Sequence, residues 1–381
     1  MIEIDPDDRA ALSAGRKSSH KIGLIAAAGL IALVIVGIAL LGGPGALWGK
    51  LNGQDRFADV YAALQTPPLP VSVQNRPEIL PLLERLQKEH CDDKAAASLG
   101  DTLATLNEKR AAARILAGFA NECPRFNWLM YKAADNYYGL SDFAEAQKVS
   151  DVLVSRWPEI AQFHFLAGEI AQGQDRHADA VAEFQNTIEL TADRYSLTQA
   201  VFLETAKAYA QLGQFCKSAA SLQQWISLDS AKRDNSSSQA QVTNYLGQGH
   251  CADYAEGTDS FPRADKTVTI VQASIGGATG RFIIDTGAAM VTLTGDFAHK
   301  AGLSGERAAL LKTANGTRPA RIGTAAAIKV GRLHASDIAT AILPDDGEKL
   351  GPDVDGLLGM SFLSRFRVEI SSSAITLSPR R

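Results

Sequence analysis

Apolar residues follow two different periods along this chain. Between residues 77 and 253, Ala, Leu, Glu and Gln recur with helical spacing and almost no β-branched runs, which predicts consecutive helices. After about residue 264, Val, Ile, Thr and Gly replace this composition, and short extended runs become frequent. The predicted strands lie at 267–275, 280–284 and 291–293, and a predicted hairpin lies at 367–377. We therefore expect a helical domain followed by an all-β domain.

The helical region carries an internal period. The segments KRAAARILAGF, DFAEAQKVSDVL, RHADAVAEFQNTI and QFCKSAASLQQWI each contain a small residue inside a predicted helix. Intervals of 34, 34 and 38 residues separate these positions, which are Ala112, Ala146, Ala180 and Ser218. A second set of small residues stands twelve positions earlier in each repeat, at Gly100, Ala134, Gly168 and Ala206. A fixed period of this length is typical of helical-hairpin arrays.

This pattern resembles the tetratricopeptide repeat, in which small residues let the two helices of a hairpin approach closely. The resemblance implies about four repeats, with a capping helix at 238–249. The first repeat is degenerate, and four extra residues precede the fourth. A solenoid of this kind offers a concave surface to a protein partner or an extended segment. The alternative is a generic helical bundle.

Residues 22–42 read IGLIAAAGLIALVIVGIALLG, an uncharged apolar run long enough to cross a bilayer as a helix. Arg16, Lys17 and Lys21 precede it, whereas the first cation after it is Lys50. The positive-inside rule then places the N-terminus in the cytoplasm and the bulk of the chain in the periplasm, or outside the cytoplasm more generally. We expect a single-pass protein of the inner (plasma) membrane. A cleaved signal peptide is the alternative.

These patterns divide the 381 residues into six segments, with a formal net charge of -4. A surface that neutralises phosphates needs clustered cations, so nucleic acid is not an expected partner. The segments are a cytoplasmic tail 1–21, a transmembrane helix 22–42, a linker 43–76, a repeat domain 77–253, a linker 254–264 and a β-domain 265–381. A short amphipathic helix is predicted at 51–65, inside the first linker.

Four cysteines are dispersed along the exported part, without the C-x-x-C spacing of a zinc or thioredoxin-type site. In an oxidising compartment they are expected to pair. Three connectivities are possible, and we favour Cys91 with Cys123 and Cys216 with Cys251, because each pair closes a loop about one helical hairpin long. Four buried free thiols are the alternative.

The candidate chemistry lies in the run FIIDTGA, residues 282–288. A bare Asp-Thr-Gly is a weak motif, but here three apolar residues lead into Asp285 from a predicted strand. Gly287 allows a sharp backbone turn, and an extended pattern resumes at 291–293. About seventy residues later, GLLGMSFL forms an apolar strand that breaks at Gly359 and is followed by a short helical signal.

These segments resemble the retropepsin-like aspartic proteases, in particular a bacterial membrane-associated branch that has DTGA, TANG and LLGMSFL segments in this order. The resemblance covers residues 265–381 and implies an all-β protease domain. It implies that Asp285 is the catalytic acid and that Thr286 braces paired loops through its hydroxyl, while Gly287 leaves room at the site and Ala288 completes the loop. It also implies a strand crossing beneath that loop, formed by Leu357, Leu358 and Gly359.

The TANG segment would form a substrate-binding flap from Thr313, Ala314, Asn315 and Gly316. Independently of the resemblance, Asn-Gly between extended segments is a strong tight-turn signal. One departure from the family pattern is an acidic stretch at 344–355, before the second motif, which is expected to alter the rim of the cleft.

Aspartic protease chemistry needs two carboxylates that share one proton, because like charges at this distance cannot both ionise. The chain contains no second Asp-Thr-Gly or Asp-Ser-Gly, and 117 residues is half of what a two-lobed enzyme needs. The second aspartate is therefore expected from another copy, in a homodimer that cleaves peptide or protein substrates.

The sequence thus favours a membrane-anchored aspartic endopeptidase of envelope proteins, whose repeat domain recruits a substrate or partner. No cofactor or metal is expected, since the chain has no H-E-x-x-H and its seven histidines are dispersed. The alternative is a non-catalytic, membrane-anchored adaptor or chaperone-like protein, in which the β-domain is a silent dimerisation module.

Overall fold

The computed structural model describes residues 56–251, 254–263, 268–313, 316–346 and 350–380. The predicted transmembrane run 22–42 lies outside these ranges, as do the predicted flap residues Ala314 and Asn315. In the described ranges, no helix combines the length and the apolar character that a membrane span requires. The described residues divide into two compact units, one that ends at Ala95 and one that begins at Ala96.

The described part of the first unit contains three short helices, α1 (Ala58–Ala63), α2 (Val71–Gln74) and α3 (Leu80–Lys88). The region expected to be a linker at 43–76 therefore contains helices α1 and α2, and α1 falls inside the helix predicted at 51–65. Phe57, Ile79 and Leu83, in or beside these helices, are buried.

Eight longer helices follow and form four successive hairpins. Their bounds are α4 (Asp93–Thr105), α5 (Lys109–Glu122), α6 (Asn127–Tyr138), α7 (Phe143–Arg156), α8 (Ala161–Gly173), α9 (His177–Leu190), α10 (Gln199–Gln211) and α11 (Phe215–Leu228). The predicted repeat register is confirmed, because the small position of each second helix is fully buried, at Ala112, Ala146, Ala180 and Ser218.

The turns inside the hairpins repeat as regularly as the helices. Asn107, Ser141, Asp175 and Gly213 each have a positive φ, between 56° and 71°, and each lies between the two helices of one hairpin. A single left-handed residue reverses the chain in a short connection, and glycine, asparagine and aspartate tolerate that conformation best. A 3-10 turn, Arg194–Ser196, lies in the longer connection that precedes the fourth repeat.

Two helices close the solenoid, α12 (Ser230–Arg233) and α13 (Ser236–Gly249). The predicted capping helix at 238–249 therefore begins two residues earlier, where the Asn235 side chain accepts hydrogen bonds from Ser237 N and Ser238 N. A disulfide joins Cys216 to Cys251, the pairing favoured from the sequence. Cys91 and Cys123 are also disulfide-bonded.

Replacing Gly168 by Ala tests the close approach of α8 and α9. An added Cβ would lie 2.5 Å from Cε1 of Phe184, which is fully buried. We expect the free energy of unfolding to fall by about 1–3 kcal/mol, measured by urea denaturation. Gly247→Ala is the matched control, because no atom lies within 4 Å of its added Cβ. That control should gain about 0.5–1 kcal/mol, and equal stability of the two variants would contradict the packing argument.

The described part of the β-domain contains ten strands and two short helices. These are β1 (Asp259–Pro262), β2 (Ile270–Ile275), β3 (Ala278–Ile284), β4 (Val291–Leu293), α14 (Gly295–Lys300), β5 (Arg307–Thr313), β6 (Gly316–Val330), β7 (Leu333–Ile342), β8 (Gly356–Leu358), α15 (Met360–Leu363), β9 (Phe366–Ile370) and β10 (Ala374–Pro379). The predicted strands and the C-terminal hairpin are present, whereas β1 occupies part of the region expected to be a linker at 254–264.

One sheet has the strand order β2-β3-β8-β4-β7-β6-β5, and a further pairing of β2 with β6 closes six of these strands into a ring. The core that packs against this sheet contains fully buried aromatic residues, Phe282, Phe297, Phe362 and Phe366. The other sheet has the order β1-β10-β9. Asp285 follows β3, at the point where this strand leaves the ring.

Candidate active site

Asp285 lies in a turn that β3 positions. Phe282 and Ile284 of that strand are buried, so the apolar approach to the aspartate is fixed by the core. The Asp285 amide donates to the carbonyl of Leu358 (3.1 Å), and its Oδ1 accepts from the Gly287 amide (2.8 Å). These bonds tie the loop to β8 and hold the carboxylate in a defined orientation. Asp285 is half-buried, while Thr286 and Gly287 are exposed.

The Leu-Leu-Gly segment crosses the active-site loop. β8 runs parallel to β3, with Ile284 opposite Leu358, and antiparallel to β4. Beyond it, Met360 N donates to Ala288 O (2.8 Å) and Ser361 N donates to Ala289 O (2.9 Å). The structure therefore brings together the two segments that the sequence analysis joined, although they are about seventy residues apart.

Gly359 is required at the crossing point. An added Cβ would lie 2.1 Å from the carbonyl oxygen of Met290 and 2.8 Å from that of Ala288. These are backbone atoms of the loop that follows Asp285, so a side chain at position 359 would displace that loop.

The predicted flap lies on the β5–β6 hairpin. Thr313 pairs with Gly316 in the strand register, and Thr313 Oγ1 donates to Gly316 O (2.9 Å). Gly316 has φ 118°, a conformation that L side chains rarely adopt. Ala314 and Asn315 join the two strands and lie outside the described residues, so the structure places both sides of the predicted turn.

A cavity of about 790 Å³ opens at the active-site loop. Thr286, Gly287 and strand β9 form one side of it. The other side belongs to the repeat domain and consists of residues 192–195 and parts of the segment 227–234. The sequence analysis did not anticipate this second wall, because no motif connects the repeats with the Asp-Thr-Gly loop.

Arg194 is the charged group that the repeat domain brings towards Asp285. Burial lowers the pKa of Arg194, while attraction to the carboxylates of Glu189 and Asp285 opposes that effect. A cation from the third-to-fourth repeat connection therefore lies within electrostatic range of the candidate catalytic aspartate.

The active-site loop also packs directly on the repeats. Ala289 is 2% exposed and belongs to an apolar cluster with residues of α8, α9 and α10, among them Phe184 and Val201. Its carbonyl accepts a hydrogen bond from Gln224 Nε2 (3.1 Å) of α11. The loop that carries Asp285 is thus part of an interdomain contact.

The acidic stretch at 344–355, which was expected to alter the rim of the cleft, reaches the β5–β6 hairpin through Asp346. Several of its described residues line a separate cavity of about 380 Å³, and none of them lines the cavity at Thr286 and Gly287. Asp355 has a structural role, because its carboxylate accepts from the Arg281 amide (2.8 Å) and its carbonyl accepts from the Thr294 amide (2.9 Å). Asp346 pairs with Arg318 of β6 (2.7 Å).

Comparison with known proteins gives a family match in this region. Residues 271–362 match the family model described as aspartyl protease. The matched region runs from β2 into α15 and includes Asp285. No curated protein matches the chain.

Many solved structures are similar to parts of the chain, and three of them illustrate the two regions. A retropepsin-like aspartic protease from Rickettsia conorii is 26% identical over 32% of this chain and 90% of that chain, with a TM-score of 0.26. A thermophilic TPR protein of Thermus thermophilus is 19% identical over 40% of this chain and 80% of its own, with a TM-score of 0.31. MamA from Desulfovibrio magneticus RS-1 is 16% identical over 47% of this chain and 97% of its own, with a TM-score of 0.36.

Proposed function

We propose that this chain, whose C-terminal region belongs to the retropepsin-like aspartic proteases, is a membrane-anchored endopeptidase that hydrolyses peptide bonds of envelope proteins. The proposal rests on the position of Asp285. This residue lies on the turn after β3, and its amide is hydrogen-bonded to Leu358 of the Leu-Leu-Gly strand, which crosses that turn. A family match over residues 271–362 supports the same assignment.

The reaction needs Asp285 from two protomers. In this mechanism one carboxylate accepts a proton from water, whose oxygen then attacks the scissile carbonyl carbon. The other carboxyl group is protonated and donates to the carbonyl oxygen as negative charge develops there. Collapse of the tetrahedral intermediate breaks the C–N bond, and the leaving nitrogen takes a proton from the dyad. The two carboxylates must lie within hydrogen-bonding distance of each other, so two Asp285 loops must come into contact.

The remaining segments suggest where the enzyme works. Residues 22–42 would anchor it with the N-terminus in the cytoplasm, and confinement to a membrane raises the local concentration of protomers. The Cys216–Cys251 disulfide supports an oxidising compartment such as the periplasm. The repeat domain would recruit the protein substrate or a regulatory partner.

A second function has an observation in its favour. Because the repeats cover Ala289 and wall the cavity at Thr286, the β-domain could act as a silent module of an anchored adaptor. The two functions differ in whether the chain cleaves peptide bonds at all.

Mixing experiments test the dimeric enzyme. Full-length wild-type chain and Asp285→Asn chain would be combined in detergent at equal amounts and constant total protein, with unfolded proteins as substrate. Random pairing leaves about a quarter of the dimers with two Asp285 residues, so the rate should fall to about a quarter of the wild-type value. A fall to one half would indicate protomers that act alone. No cleavage at any pH by a wild-type chain that sedimentation shows to be dimeric would favour the adaptor.

A further inference from the structure

The face of the β-domain that carries Asp285 has two competing uses. The proposed dimer, on which this inference rests, requires the loop 285–290 of one protomer to contact the same loop of another. That second loop is attached to β3 and β8, so a whole β-domain must approach. In the structure the repeat domain of the same chain already occupies part of this face.

The first contact is with the loop itself. Ala289 is buried in an apolar cluster with α8, α9 and α10, and Gln224 donates to its carbonyl. The residues just before it, Thr286 and Gly287, face the wall formed by 192–195. Contact between two Asp285 loops would require this wall to move away.

The second contact fixes the flap hairpin. Arg307, the first residue of β5, donates to Asn186 Oδ1 (2.9 Å) and to Gln185 Oε1 (3.1 Å), both on α9. A flap must move to admit and release a peptide. Anchoring β5 to a repeat helix restricts that motion.

The third contact fixes the end of the chain beside the same cavity. Arg380 donates to Asp234 Oδ2 (3.1 Å) and to Ser227 Oγ (2.7 Å) of the repeat domain. The Arg380 side chain is 7% exposed and that of Asp234 is 21% exposed, so this ion pair is largely shielded from solvent. Lys217 of α11 also pairs with Asp337 of β7 (3.4 Å).

We propose that the docked repeat domain holds the protease domain in a latent, monomeric state, and that the Asp285 dimer forms only when α9 to α11 leave the active-site face. A protein that binds the repeats, or a substrate recruited by them, would then activate the enzyme by displacing this contact. Recruitment and activation would be one event, because they use the same helices.

The test loosens the contact without touching the reacting groups. A full-length triple variant Gln224→Ala, Arg307→Ala, Arg380→Ala removes the hydrogen bonds described above. Each net hydrogen bond changes an equilibrium by about 2- to 10-fold, so the Kd for dimerisation should fall by at least about tenfold. Sedimentation velocity in detergent measures the dimer, and amide hydrogen exchange of residues 286–290 measures undocking. Arg332→Ala is the control, since this exposed arginine pairs with Asp259 inside the β-domain.

Faster exchange at 286–290 together with tighter dimerisation of the triple variant supports the proposal, with the Arg332→Ala chain behaving as wild type. Faster exchange without tighter dimerisation overturns it, and so does a wild-type dimer whose 286–290 amides stay protected. Unchanged exchange in the triple variant overturns it as well, because these contacts would then not hold the docked state. If no variant cleaves any substrate, the enzyme assignment fails, while the dimer measurement still decides latency.

Discussion

Asp285→Asn should abolish peptide cleavage, with a rate at least about 10³-fold below that of the wild-type chain. Asparagine has nearly the same shape as aspartate, but it neither accepts a proton from water nor shares one with a second carboxyl group. Its amide oxygen can still accept the hydrogen bond that Asp285 Oδ1 accepts from the Gly287 amide. The loss should therefore be chemical and not structural.

Initial rates on an unfolded protein substrate, with dimerising concentrations of full-length chain, measure this effect. Asp353→Asn is the matched control, because Asp353 has φ 51°, which asparagine tolerates, and its side chain is 87% exposed. We expect the control to keep the wild-type rate and both variants to unfold within about 0.5 kcal/mol of the wild type. Equal cleavage by the Asp285→Asn and wild-type chains would contradict the proposed mechanism.

The sequence predicts those parts of the fold in which local pattern and burial agree. The repeat register follows from small residues, because only a small side chain fits where two helices touch, as Gly168 against Phe184 shows. Strands β2, β3 and β4 could be predicted because their sequences are rich in apolar residues that favour strands, such as Val and Ile. In contrast, β6 contains the run Ala325 to Ala327, whose alanines carry little β preference, so its strand character depends on pairing with β7.

Strand β1 shows the same limit. Its residues Asp259–Pro262 include an aspartate and a proline, which are depleted in strands, and the strand forms because Phe261 pairs with Ile375 of β10. Pairing between segments more than a hundred residues apart leaves no local signal, which is why this region was expected to be a linker.

The candidate site divides in a similar way. Asp285 and the Leu-Leu-Gly crossing could be joined from the sequence, because both segments resemble those of the retropepsin-like aspartic proteases and stand in the same order. The repeat wall could not, since Gln224 and Ala289 are 65 positions apart and Arg380 and Asp234 are 146 positions apart. The side chains that form this contact belong to no recognisable sequence motif, so the sequence alone does not predict it. The structure thereby shows that the repeat domain covers part of the active-site loop, at Ala289, although Thr286 and Gly287 stay exposed.

Glu189 makes the covered state sensitive to pH. It is 7% exposed, and its Oε1 has no hydrogen-bond partner among the described residues. Burial raises the pKa of Glu189 to about 7 from its usual 4.5, although attraction to Arg194 and Arg307 opposes the rise. Glu189 lines a small cavity, and the other charged or titratable side chains that line it are Tyr209, Lys217, Asp337 and Arg365.

The direction of the pH effect follows from these values. Below about pH 4.5 the carboxyl group is protonated in the folded and unfolded states, so the folded state bears no penalty. Between 4.5 and 7 the unfolded chain releases a proton that the folded chain retains, and stability falls. Above about pH 7 the folded chain has lost all the stability that this group can remove. The difference between the pKa of Glu189 in the unfolded and folded states corresponds to about 3 kcal/mol of unfolding free energy. Glu169, whose pKa burial and the neighbouring Glu204 and Asp135 also raise to about 7, contributes in the same direction.

Glu189→Gln should therefore stabilise the folded chain by up to about 3 kcal/mol at pH 8 and change it little at pH 4, because glutamine stays neutral throughout. Urea denaturation at the two pH values measures the difference, with Glu159→Gln, an exposed position, as the control. Since Glu189 lies on α9 beside the interdomain contact, the same change should slow hydrogen exchange at 286–290 and reduce dimerisation at pH 8. Equal stabilisation at both pH values would show that the buried charge of Glu189 is not the cause.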